Sequence, residues 1–383
     1  MKPSVLKWIA IAGASVMLAA CGSRGPLEAD DAPAVEVADD GPEVRVVWSA
    51  NVGRASTPYH RLELALREGQ IIAAAADGQV TALDAASGDR QWQVSLDTPI
   101  SGGVGAGEEG IALGTPEGEV LLLSAADGSV RWKSQVSSEV LAPPAVGQDT
   151  VVARTGDGRV FALEASDGSQ RWLYSRSVPS LSLRGHSAPV LVRNGVVSGF
   201  DNGRLSALTL AEGDPVWEAT VAVPEGRTDL ERMIDIDADP LVVRGDLFAG
   251  AYQGRLTGIS LGSGEIAWAR DLSLLGGLTV DASNLYATDD EGRVWALDRR
   301  NGASVWRSEE LAGVTLTAPT MHAERVAVAG SDGYVSWLDP DDGHVLARTA
   351  LGRAKIAAPP LEHEGRLYVL DLDGRLHGVE VDQ

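Results

Sequence analysis

Six histidines, at positions 60, 186, 322, 344, 363 and 377, and a single cysteine, Cys21, are the side chains best suited to metal or nucleophilic chemistry in this chain of 383 residues. No two histidines stand at metal-ligand spacing, and none has a cysteine to share a metal with. Gly185-His186-Ser187 begins like a nucleophile elbow but lacks the closing glycine. The Ala188-Pro189 that follows recurs as Ala142-Pro143, Ala318-Pro319 and Ala358-Pro359, so Ser187 reads as the lead-in to a strand. Asp-Gly pairs at 77, 157, 332 and 373 lack the alternating carboxylates that calcium needs, and their repetition marks turns. These residues form no catalytic constellation and no metal or cofactor site, so the chain is expected not to be an enzyme.

The elements that would position any site are set by a repeat. A glycine is followed by a second glycine and then a tryptophan at fixed spacing: Gly78, Gly88 and Trp92 set the pattern. Trp132, Trp172, Trp217, Trp268 and Trp306 close five more copies, and a seventh has Ala347 in the tryptophan place. Between the turn pairs lie short apolar runs of strand length. Pro144, Pro189, Pro240, Pro319 and Pro360 keep one constant distance ahead of Gly158, Gly203, Gly254, Gly333 and Gly374, where a missing N–H costs no ladder bond. Four short strands repeating at a period of about 40 residues is the pattern of a β-propeller blade.

An eighth copy begins at Gly374, and the chain ends at Gln383 before its fourth strand. Trp48, in Val44-Arg45-Val46-Val47-Trp48, has no leading glycine of its own. The expected fold is therefore all-β: an eight-bladed propeller over residues 44–383, four antiparallel strands per blade, its last blade closed by the N-terminal strand. Trp48 and the six repeat tryptophans are expected to wedge between blades, each contributing about 1.5–3 kcal/mol by burial.

Residues 1–20 have a positive start (Lys2, Lys7) and an apolar stretch, Ile9–Ala20, too short to span a membrane. With Leu18-Ala19-Ala20-Cys21-Gly22 they resemble a bacterial lipoprotein signal. The resemblance implies cleavage before Cys21, acylation of that residue and outer-membrane sorting. Residues 21–43 read as a disordered tether, since Gly22–Glu43 holds seven acidic residues against Arg24. Loss of Lys2 and Lys7 moves the net charge from −22 by two to −24. With no basic stripe to replace counterions, nucleic acid is not an expected partner.

Ala82-Leu83-Asp84-Ala85-Ala86-Ser87-Gly88-Asp89-Arg90-Gln91-Trp92 resembles the repeat of quinoprotein-type propellers, many of which are pyrroloquinoline quinone dehydrogenases. The lipoprotein signal, acidic tether and single propeller together resemble the BamB family, lipoprotein subunits of the outer-membrane β-barrel assembly machinery. Val178-Pro179-Ser180-Leu181-Ser182-Leu183-Arg184-Gly185 and Thr228–Asp237 look like that family's segments. The resemblance implies a scaffold on the periplasmic face of the outer membrane. It would dock on the POTRA domains of BamA through Leu181, Leu183, Arg184, Asp235 and Asp237, and aid folding and insertion of outer-membrane proteins. Unfolded clients could add strands to exposed blade edges. A quinone-dependent dehydrogenase or a polysaccharide-binding lipoprotein are the alternatives.

Loop lengths mark the same place. The intervals from Trp92 to Gly118 and from Trp132 to Gly158 are equal, whereas those from Trp172 to Gly203 and from Trp217 to Gly254 are stretched. Both long intervals join an outer strand to the next inner strand, so they emerge as neighbours on one face. Leu181 and Leu183 would be apolar anchors there, beside Arg184.

Overall fold

The computed structural model describes residues 35–38, 41–53, 61–177, 179, 187–224, 227–228 and 234–382. Eight antiparallel sheets are arranged as successive blades, each built from an inner strand to an outer one. Blade 1 spans residues 65–95, blade 2 102–135, blade 3 145–175, blade 4 190–220, blade 5 241–271, blade 6 274–308 and blade 7 320–350. Blade 8 combines 361–381 with Val44–Asn51 as its outer strand, which runs from Val44 opposite Val381 to Asn51 opposite Arg375 with a register shift between Val46 and Trp48. The expected propeller and its closure by the strand carrying Trp48 are what is observed.

Local sequence explains the strands. Each of the five register prolines immediately precedes an inner strand, as Pro189 does Val190–Val192 and Pro240 does Leu241–Val243. Middle strands are flanked by blades on both faces and read as continuous buried runs, such as Thr150–Thr155. Outer strands alternate; Gln170–Ser175 buries Trp172 and exposes Leu173.

The wedge is seen clearly at Trp172, whose ring covers Gly213 of the next blade. A Cβ on Gly213 would lie 2.5 Å from that ring, and its φ of +74° is one side chains rarely adopt. The indole Nε1 of Trp172 donates to the Leu210 carbonyl at 2.8 Å. Trp92, Trp132, Trp217, Trp268 and Trp306 repeat this bond to the following blade at 2.7–3.0 Å. Trp48 lies over Gly88 in the same way, but its buried Nε1 has no acceptor among the described residues. The corresponding carbonyl, Ala85, accepts from the Tyr368 hydroxyl at 2.9 Å and from Arg366.

Blade 7 departs from the repeat for a geometric reason. Blade 8 takes its outer strand from the other end of the chain, so it has no third-to-fourth hairpin and no glycine for a tryptophan at 347 to cover. The indole moves one strand inward: Trp337 pairs across from Ala347 and is fully buried. Its Nε1 donates to His322 Nδ1 at 3.0 Å. That bond fixes the proton of a neutral His322 on Nε2, which donates to the Gly365 carbonyl of blade 8 at 3.0 Å. Burial holds the His322 pKa below the ordinary histidine value.

The last part of the tether region lies along blades 6 and 7. Val35 packs against the apolar core between those blades. Ala38 N–H points to the Val345 carbonyl at 3.4 Å.

Candidate docking face

In a four-stranded antiparallel blade, the second-to-third turn and the connection to the next blade leave from the same face. Three of those connections are the longest: 221–240 between blades 4 and 5, 176–189 between blades 3 and 4, and 52–64 between blades 8 and 1. The first two are the stretched intervals of the sequence. The third carries a signal of the same kind, a long interval from Trp48 to Gly78, which is seen once Trp48 is counted as the closing tryptophan of the last blade.

The three connections meet at one carboxylate. Arg61 Nη1 and Nη2 donate to Asp239 Oδ1 and Oδ2 at 2.8 and 2.6 Å. The Ala188 N–H donates to Asp239 Oδ1 at 2.6 Å. Arg61 also reaches the Asp237 carbonyl at 3.5 Å and donates through Nε to Glu63 at 2.6 Å. Arg61 is aimed there because Arg61–Leu62 adds to blade 2 as a short parallel strand beside Gly102 and Gly103, on the inner edge of the sheet. Burial alone would depress the Arg61 pKa, but the Asp239 and Glu63 carboxylates outweigh it and hold it above the ordinary value. Burial raises the Glu63 carboxyl, with Arg61 opposing the shift.

Asp235 and Asp237 belong to this knot in different ways. Ile234 and Ile236 are buried in the core between blades 4 and 5, and Asp235 between them is 0 % exposed. The Asp235 carbonyl accepts from Tyr252 N–H at 2.9 Å. Asp237 is partly exposed. The sequence suggested two loop carboxylates; the structure sets one inside as an anchor of the connection and the other at its surface. Leu181, Leu183 and Arg184 lie outside the described residues, as does Cys21.

A second ion pair underlies the face. Arg154 of blade 3 and Asp201 of blade 4 pair with both side chains essentially inaccessible, and Arg154 lies 5.8 Å over the Phe200 ring. Around the turn of blade 5, Val223 is 58 % exposed and Leu275 is 39 % exposed. The turn itself is tied on one side by Gln253 N–H to Ser273 Oγ at 3.0 Å and Leu274 N–H to the Ala251 carbonyl at 3.2 Å, and on the other by Tyr252 N–H to the Asp235 carbonyl. Among the described residues, no group of three histidine, cysteine or acidic side chains is placed to hold a metal ion. The face offers apolar side chains and fixed charges, the chemistry of recognition.

Fold and face define an eight-bladed propeller of the quinoprotein-repeat class with its three longest connections gathered on one side. The family described as outer membrane protein assembly factor BamB matches residues 76–308, and the chain belongs to that family. The outer membrane protein assembly factor BamB of Alkalilimnicola ehrlichii is 51 % identical over 95 % of this chain and 94 % of its own length. That of Pseudomonas aeruginosa is 43 % identical over 97 % of each. The crystal structure of BamB from Moraxella catarrhalis superposes with a TM-score of 0.82 at 28 % identity, covering 88 % of this chain and 100 % of that one. A quinohemoprotein alcohol dehydrogenase from Pseudomonas putida shares the fold, with a TM-score of 0.69 at 13 % identity over 92 % of this chain and 79 % of that one.

Proposed function

We propose that this protein is a non-enzymatic scaffold of outer-membrane β-barrel protein assembly, held by an acylated Cys21 on the periplasmic face of the outer membrane. It docks on the POTRA domains of BamA and aids folding and insertion of outer-membrane proteins. The observation that carries the reading is the convergence of the three longest connections at Asp239 on one face. Leu181 and Leu183 supply apolar anchors, and Arg184 and Asp237 set orientation. Asp235, fully buried, shapes the surface from below. Exposed Val223 and Leu275 extend the apolar part of the face. The test is co-purification with BamA of a Leu183→Ala, Arg184→Glu variant. The reading expects loss of the complex with the propeller intact, and an unchanged yield would remove these residues from the site.

A second role rests on the tether. Val35 and Ala38 lie along blade 7 as an added segment would, and Val130, Val216, Ile266 and Val305 are exposed on other outer strands. These edges accept extended client segments by backbone pairing. Photo-crosslinkers at positions 130, 216 and 266 should capture unfolded outer-membrane proteins; crosslinks confined to the docking face would exclude this role.

A further inference from the structure

We infer that Arg61 is the positioning residue of the docking face: its guanidinium fastens the connection between blades 8 and 1 to Asp239, and through that carboxylate sets the two connections that meet a partner. The inference rests on the docking reading above and adds a residue outside both loops.

The geometry is that of a keystone. Arg61 and Asp239, far apart in sequence, form a two-pronged pair at 2.8 and 2.6 Å. A paired fork fixes orientation as well as distance, which a single ammonium contact does not. Asp239 uses the same Oδ1 to take the Ala188 N–H at 2.6 Å, shortly after Arg184 in the chain. Arg61 in turn is held by Glu63 at 2.6 Å and by the parallel pairing of Arg61–Leu62 with blade 2. The side chains of Arg61 and Asp239 remain 22 % and 35 % exposed. The pair therefore sits at the mouth of the ring rather than in a blade core, where it governs how the connections lie more than whether the blades fold. Orienting the loops before contact lowers the ordering cost of binding.

The experiment compares the full chain with Arg61→Ala, Arg61→Lys and Asp239→Asn. It reads three quantities: affinity for purified POTRA domains of BamA, thermal midpoint, and hydrogen exchange at the Ala188 amide. The expected order of affinity is wild type, then Lys, then Ala, with Arg61→Ala weakened at least about tenfold and its melting little changed. Exchange at Ala188 should accelerate in Arg61→Ala and stay slower in Asp239→Asn, which keeps an oxygen acceptor. Unchanged affinity in Arg61→Ala, or unchanged Ala188 exchange, overturns the inference. Should Arg61→Ala fail to fold, the Lys and Asn variants carry the same comparison, and equal affinity in all three proteins overturns it. Wild type that does not bind the POTRA domains removes the docking reading, and with it the role of Arg61 in docking. Exchange at Ala188 then still reports whether Arg61 orders the connection.

Discussion

At the scale of single residues, the tryptophans separate burial from hydrogen bonding. Trp172 both covers Gly213 and donates to Leu210, whereas Trp48 covers Gly88 with no acceptor for its Nε1 among the described residues. Phenylalanine at 172 should therefore cost about 1 kcal/mol more than phenylalanine at 48, measured by urea unfolding. Alanine at Gly213 should cost about 1–3 kcal/mol by forcing a methyl group into the Trp172 ring. His322 gives a pH dependence. Its folded pKa is lowered by burial, so its favourable neutral bonding is complete above the unfolded value of about 6.5. That stability is lost as pH falls from there toward the folded pKa, because the unfolded chain then binds the proton more readily. Thermal midpoints should drop over this window, and the drop should shrink in His322→Gln. The substitution of Ala347 for tryptophan was readable in the sequence. That Trp337 replaces it from the neighbouring strand was not, since the place opposite the repeat tryptophan holds a small residue in most of the other blades, as Ala82 does opposite Trp92, and nothing there marks it for an indole.

At the scale of elements, turns and connections differ in how much of them can be read from sequence. Blade boundaries were legible because Gly213, Trp172 and Pro189 each occupy a position dictated by local geometry that recurs in most of the blades. The two long connections were legible as stretched intervals. Their knot was not: Arg61 and Asp239 belong to no period, and only closure of the ring brings them together. Asp235 likewise looked like a surface carboxylate, yet Ile234 and Ile236 draw its segment into the core between blades 4 and 5. The Arg154–Asp201 pair joins blades 3 and 4 beneath this region. Asp201→Ala leaves a buried guanidinium without its carboxylate and should destabilise the protein by about 3–5 kcal/mol in denaturant titrations.

At the scale of the whole molecule, stability depends on a ring with no open edge between its first and last blades. Val44–Asn51 pairs along its length with Arg375–Val381, and the Asp382 N–H donates to the Glu43 carbonyl at 3.0 Å. A chain beginning after residue 52 should lose this blade's outer strand and the Trp48 wedge together. Its unfolding should become broader and begin at lower denaturant, whereas a chain beginning at residue 44 should retain a single sharp transition. Fluorescence and far-ultraviolet dichroism, followed together, distinguish the two.

Closure by the two chain ends also imposes an order in time. The strand nearest the start of the chain finds its partner only when the last strand has been made. Until then Val44–Asn51 is an unpaired segment whose Val44 and Trp48 lack the cores they pack against in the closed ring. The pairing spans most of the chain, as the Arg45–Glu380 contact shows with a separation of 335. So distant a contact is slow to form by chain diffusion. The meeting of Val44–Asn51 with Arg375–Val381 is thus expected late in folding, after the blades between them, and slowed refolding on weakening this pairing would report it.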